Sequence, residues 1–85
     1  MNLILASKLW DGGCGIDEKN LITFEKITMS ICKSLCDVKL NCGYFEYEEA
    51  TTDCRLFKNS SNAVRDESQS KVCYKGHLPC TSEYF

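Results

Sequence analysis

Four of the chain's seven cysteines fall close together, as Cys32-x3-Cys36-x5-Cys42-x11-Cys54. Cysteines so placed can hold a metal, carry redox chemistry, or form disulfides, and spacing separates the three. Structural zinc takes four Cys or His ligands, presented as closely spaced knuckles. Here the closest pair is C-x3-C, C-x2-C is absent, and the single histidine is His77. No metal and no cofactor are therefore expected. A thioredoxin-type centre needs C-x2-C at a helix start within a βαβ pattern, and that pattern is also missing. Disulfides remain. Seven cysteines in 85 residues is about 8%, near the level of a disulfide scaffold. Such bonds persist in oxidising compartments, so a secreted or surface-exposed protein is expected.

The elements that must position these cysteines can be read along the chain. Thr28 or Ser30 can cap a helix by accepting a bond from a free first-turn amide. The helix then reads Ile31-Cys32-Lys33-Ser34-Leu35-Cys36. Ile31/Leu35 and Cys32/Cys36 are i,i+4 pairs, which predicts one contiguous buried stripe, with Lys33 and Ser34 pointing away. Asn41 and Gly43 mark the expected helix exit. Residues 43–48 alternate with period two: Phe45 and Tyr47 share one face, and Tyr44, Glu46 and Glu48 the other. Residues 49–53 read as a loop and residues 54–57 as the returning strand. On this helix-and-hairpin unit, Cys36–Cys42 would pin the helix end to the first strand, and Cys32–Cys54 its middle to the second. Each such bond is worth about 2–4 kcal/mol in the chain-entropy treatment.

Elsewhere, residues 1–10 can supply a short strand, followed by the turn signal Asp11-Gly12-Gly13. Residues 20–27 are β-rich, residues 58–70 read as a long polar surface loop, residues 71–75 as a last strand, and residues 76–85 as a tail. The length allows one domain, taken as 1–85 with 81–85 a tail. The longest apolar run near the start, Leu3-Ile4-Leu5-Ala6, is far short of the ~20 residues that span a bilayer, so no direct membrane insertion is expected. It is also too short for a signal peptide of ~7–15 apolar residues. An export signal must then have been removed, or the module belongs to a longer chain; the second is the preferred expectation. Net charge is −2 and the ten basic residues are scattered, which argues against nucleic acid as a partner. With one histidine and no Ser-His-Asp or Cys-His constellation, no enzyme is expected. Glu46, Glu48 and Glu49 read as a solvated strand face and loop.

The pattern Cys32-x3-Cys36-x5-Cys42-x2-Phe45-x-Tyr47-x6-Cys54-x-Leu56 resembles the core signature of the PAN/apple domain family. The likeness covers about 25 residues tightly, and Lys71-Val72-Cys73-Tyr74 extends it more loosely as the closing strand. It implies an α+β fold, one helix packed on a small antiparallel β-sheet and stapled by disulfides. It implies the pairs Cys32–Cys54 and Cys36–Cys42, in line with the spacing. Apple modules typically join a cysteine near each terminus, which favours Cys14–Cys80 and leaves Cys73 free or intermolecular. The rival pairing is Cys14–Cys73, leaving Cys80 for a partner.

The resemblance further implies a non-catalytic adhesion module that binds a host or self surface protein. It suggests one of several neighbouring apple modules in a secreted adhesin, with an apicomplexan microneme adhesin as the favoured setting. The alternative is a lectin-like module for cell-surface glycans. Sugar sites place an aromatic under the ring and polar groups around its hydroxyls; the candidate cluster is Tyr74, Lys75 and His77. Trp10 is expected to pack on the sheet edge. Asn59-Ser60-Ser61 fits the N-glycosylation acceptor pattern. Arg55, Lys58 and Lys71 are the cations that folding could gather on one face.

Overall fold

The computed structural model of the chain describes residues 7–17, 19–59 and 62–76. Strand β1 (Ser7–Asp11) and strand β2 (Ile22–Phe24) precede helix α1 (Met29–Val38). Strands β3 (Cys42–Glu48), β4 (Asp53–Lys58) and β5 (Val72–Lys75) follow. Thr28 is the helix cap: its backbone is extended and its hydroxyl accepts the Ile31 amide at 3.2 Å. Such a cap satisfies one of the first-turn donors that have no helical partner. The helix ends four residues before Gly43, at Lys39, whose amide donates to the carbonyls of Leu35 and Cys36. Gly43, expected at the helix exit, instead sits in β3 at a bulge between Cys42 and Tyr44. A side chain there would collide with the Asn59 backbone.

The five strands form one antiparallel sheet in the order β1-β5-β3-β4-β2. Both edges are poor templates for further pairing. β1 carries a bulge between Lys8 and Trp10 and the exposed Lys8–Asp11 ion pair at 3.0 Å; β2 is three residues long. Short, bulged and charged edges discourage strand addition.

Helix α1 lies across β3 and β4. Between helix and sheet sit Cys32, Cys36, Cys42, Phe45, Tyr47, Cys54 and Leu56, all buried. Disulfides Cys32–Cys54 and Cys36–Cys42 cross this layer. Of the predicted helical stripe only the cysteine half is fully buried. Ile31 is 48% exposed and Leu35 half-buried, because the helix leans its cysteine edge on β3 and β4 and leaves the next edge beyond them.

The other face of the sheet is covered without a helix. Residues 11–15 and 62–71 fold over it, joined by a bridge between Gly13 and Asp66. Gly12 has φ of 118°, and a Cβ on it would lie 2.7 Å from the Asp66 carbonyl oxygen. Only glycine tolerates both conditions. Residues 62–70 are thus a cover and not merely a surface loop.

Cys14 lies on this second face, bonded to Cys73 with a Cα–Cα distance of 5.0 Å. This corrects the expected Cys14–Cys80 pair and the expected free Cys73. The reason is the turn at Gly12-Gly13, which carries Cys14 back over β3 and next to β5. Its Sγ there sits 3.6 Å from the Phe45 carbonyl oxygen. Cys73 faces the same side because its neighbour Tyr74 faces the helix side. Cys80 lies outside the described residues, as do residues 1–6 of the predicted first strand and the tail 77–85.

The disulfides span 6, 22 and 59 residues, which corresponds to about 2, 3 and 4 kcal/mol in the chain-entropy treatment. We expect the double substitution Cys32→Ala, Cys54→Ala to lower unfolding stability in urea by about 3 kcal/mol. Peptide mapping of the unreduced protein should yield a Cys14–Cys73 peptide; a Cys14–Cys80 peptide would contradict the arrangement.

Candidate binding surfaces

Tyr74 and Lys75 are adjacent in β5, so their side chains leave opposite faces of the sheet. They do not converge on one ligand, and His77 lies outside the described residues. Tyr74 is half-buried on the helix side. One face of its ring stacks on the buried Phe45, with centroids 4.8 Å apart and planes 2° from parallel. Over the ring also stands Lys33 of α1, its ammonium 5.6 Å from the centroid. Phe45 is β3's partner to Tyr74 and Lys8 is β1's, so Lys8 flanks the ring from the far strand. Burial pushes the Tyr74 phenol above its ordinary value, while the nearby Lys8 charge pulls the other way. The flat ring is thus committed to Phe45 below and faces a cation, which leaves little open aromatic surface for a sugar. Lys33, predicted to point away from the stripe, proves to be the residue that completes this cluster. Its partner on β5 is set by the fold and has no trace in local spacing.

A second feature opens at the hairpin end of the same face. A depression of about 530 Å³ is lined by Ile27, Met29, Tyr47, Lys26, Glu49 and Thr52. Tyr47 donates its hydroxyl to the Ile27 carbonyl at 2.6 Å, and the Ile27 amide donates to the Thr52 carbonyl at 3.1 Å. These bonds hold the segment before α1 against the hairpin turn. Lys26 and Thr52 both adopt positive φ, near 60°, which is uncommon for residues with a Cβ. The volume is within the range of ligand sites, and apolar Ile27 and Met29 meet one cation and one carboxylate at the rim.

The second sheet face carries charge of both signs. Arg55 and Lys71 line a shallow depression with Glu46, Glu48 and Asp53, so the cations there are matched by acids. Lys58, three residues beyond Arg55 in an unbroken strand, leaves from the opposite face. The three cations are not gathered. Glu46 is not solvated, as its place in the alternation suggested, but buried at 4% exposure. Its Oε2 accepts the Cys14 amide at 2.6 Å, and the Lys71 ammonium stands 3.7 Å from its Oε1. Lys71 also donates to the Gln69 side chain, which donates to Asp66. The Asp66 carboxylate accepts from the Ser68 hydroxyl and amide, and these bonds hold it below its ordinary value of 3.8. Trp10 is half-buried and donates its indole N–H to the Gly13 carbonyl at 2.9 Å, so it fixes the same cover. Asn59 is exposed, whereas Ser60 and Ser61 of the glycosylation pattern lie outside the described residues.

No group of three or more potential metal ligands occurs among the described residues, and no helix there is long and apolar enough to cross a membrane. Replacing Glu46 by Ala strands both the Cys14 amide and Lys71, and should cost about 3 kcal/mol in urea unfolding. The Asp66 bonds stabilise the fold above its ordinary carboxyl value and are lost as pH falls through the depressed folded value. Asp66→Asn should therefore flatten the acid limb of the stability–pH curve; an unchanged limb would contradict this.

A family model described as the PAN domain matches residues 13–77. A search of curated proteins and a search of solved structures each find no match. PAN domains are binding modules for proteins or carbohydrates and are generally non-catalytic. A disulfide-rich domain of this kind points to an extracellular or secreted setting. The match covers well over half of the chain and includes the six cysteines that form disulfides among the described residues, and the chain belongs to the PAN domain family.

Proposed function

We propose that this chain is an extracellular, non-catalytic adhesion module that binds a protein ligand. In this reading it is one of several tandem modules in a surface or secreted adhesin, used in attachment to a host cell and released through a secretory organelle such as the microneme. Family membership supports a binding role. The observation that favours protein over sugar is the state of Tyr74. Its ring rests on Phe45 and carries Lys33 above it, whereas a sugar needs an open aromatic face to stack on. Protein ligands, by contrast, are held by apolar anchors with a polar rim, and the depression beside Met29 has that character.

The test is a glycan array with the oxidised module, run beside pull-downs with neighbouring modules and host surface proteins. The expected result is a blank array and saturable capture of a protein. Selective binding of one sugar class would make this a lectin-like module and overturn the reading.

A further inference from the structure

The chain holds five asparagines, and one of them opens the N-x-S/T acceptor pattern, as Asn59-Ser60-Ser61 with no proline between. Asn2, Asn20, Asn41 and Asn62 are followed two residues on by Ile, Ile, Gly and Val, so none of them fits.

The fold puts Asn59 where a modification can be carried. Strand β4 ends at Lys58, and Asn59 is the next residue, exposed at the end of the β3–β4 hairpin opposite its turn. Its backbone is held. The amide donates to the Asn41 carbonyl at 2.8 Å, and its Cα and Cβ lie where only a glycine at position 43 leaves room. Its side chain is not held. Among the described residues no hydrogen bond engages the Asn59 carboxamide. Asn20, by contrast, commits its Nδ2 to the Thr23 hydroxyl at 2.9 Å.

We propose that Asn59 carries an N-linked oligosaccharide on Nδ2. In the transfer, Nδ2 attacks the anomeric carbon of an N-acetylglucosamine carried on a lipid diphosphate. The N–C bond forms and the sugar–phosphate bond breaks. The lipid diphosphate leaves with the bonding pair, and one carboxamide proton passes to solvent. The folded module must then accommodate the product. An exposed amide nitrogen without a partner gives up no bond when it acquires a sugar. A bulky, hydrated group on a secreted domain belongs on such a surface, and the disulfides point to the secretory route that such a group requires. Asn59 and the depression at Met29 flank opposite ends of β4, six residues or roughly 20 Å apart at strand geometry. Glycosylation of Asn59 therefore goes beyond the protein-ligand reading and needs only its secreted setting.

The test secretes the whole chain from a eukaryotic host behind an export signal. Mass spectrometry reads the Asn59 fragment before and after treatment with a peptide-N-glycosidase. Wild type should show a series of forms differing by hexose units, which the enzyme collapses to one form with Asn59 converted to aspartate. Asn59→Gln and Ser61→Ala should lose the modification entirely, and Ser61→Thr should keep it. Asn2, Asn20, Asn41 and Asn62 should remain bare. An unmodified Asn59 in the secreted wild type overturns the proposal, as does an oligosaccharide that persists in Ser61→Ala. The glycosylated and enzyme-treated chains should melt within about 4 °C of each other. A glycosylated chain that melts further below would overturn the placement of the sugar on an unpartnered carboxamide. Wild type and Asn59→Gln should capture a protein ligand equally. An unmodified Asn59 beside intact capture would thus remove the glycan and leave the protein-ligand reading standing, whereas selective binding on the glycan array would remove that reading and leave Asn59 untouched.

Discussion

The fold depends on one helix edge being bonded twice to the sheet beneath it. Among the described residues, the buried hydrophobic side chains other than cysteine are Phe45, Tyr47, Leu56 and Phe57. A core that small cannot offset the entropy of ordering the chain without further constraint. Cys32 and Cys36, one turn apart, supply it by tying α1 to β4 and to the start of β3. The sulfur atoms fill the helix–sheet layer as well as linking it, so each bond both packs the core and limits the unfolded chain. Phe45 and Leu56 then complete a layer whose geometry the disulfides have already fixed.

The second face solves a different problem. It has no helix to cover it, yet β3 lies in the middle of the sheet and its outward residues meet other chain segments. Residues 11–15 and 62–71 fold over it and are held by Cys14–Cys73 and by the Glu46 carboxylate. A buried carboxylate is costly unless paired and hydrogen-bonded. Here it receives a backbone amide and stands near a largely buried ammonium. The Gln69–Asp66–Ser68 chain extends that satisfaction to the covering loop itself. The cover is therefore specific: it seats only where the amide of Cys14 meets Glu46.

Helix α1 packs chiefly on β3 and β4 and reaches β5 through Lys33, whose ammonium stands over the Tyr74 ring. The helix side of the sheet carries Tyr74 and Lys8 on neighbouring strands, and the depression at Met29 lies at the hairpin end. Behind Tyr74 lies Phe45, in the middle of the core. A binding surface backed in this way is preorganised, which favours recognition by position and charge over adaptation.

Much of the architecture was legible in the chain itself. The i,i+4 placement of Cys32 and Cys36 and the alternation of Phe45 and Tyr47 follow from 3.6- and 2-residue periods. Local geometry alone therefore assigned the helix, the hairpin and the buried faces they share. A cap at Thr28 or Ser30 is legible for the same reason, and the structure settles on Thr28, whose bond is to an amide three residues away. Long-range pairing was not legible. The choice between Cys73 and Cys80 for Cys14 depended on a glycine turn whose return path is set by contact with Asp66. The alternation of β3 placed Glu46 correctly on the second face but could not show that a loop from elsewhere in the chain would bury it. In the same way Lys33 read as a solvated helix residue, and Tyr74 as half of a pair with Lys75. Sequence spacing determined which face each side chain took; only tertiary structure decided what lay opposite that face, because the opposing atoms come from segments 30 to 60 residues away, on the order of half the chain, whose approach no local period encodes.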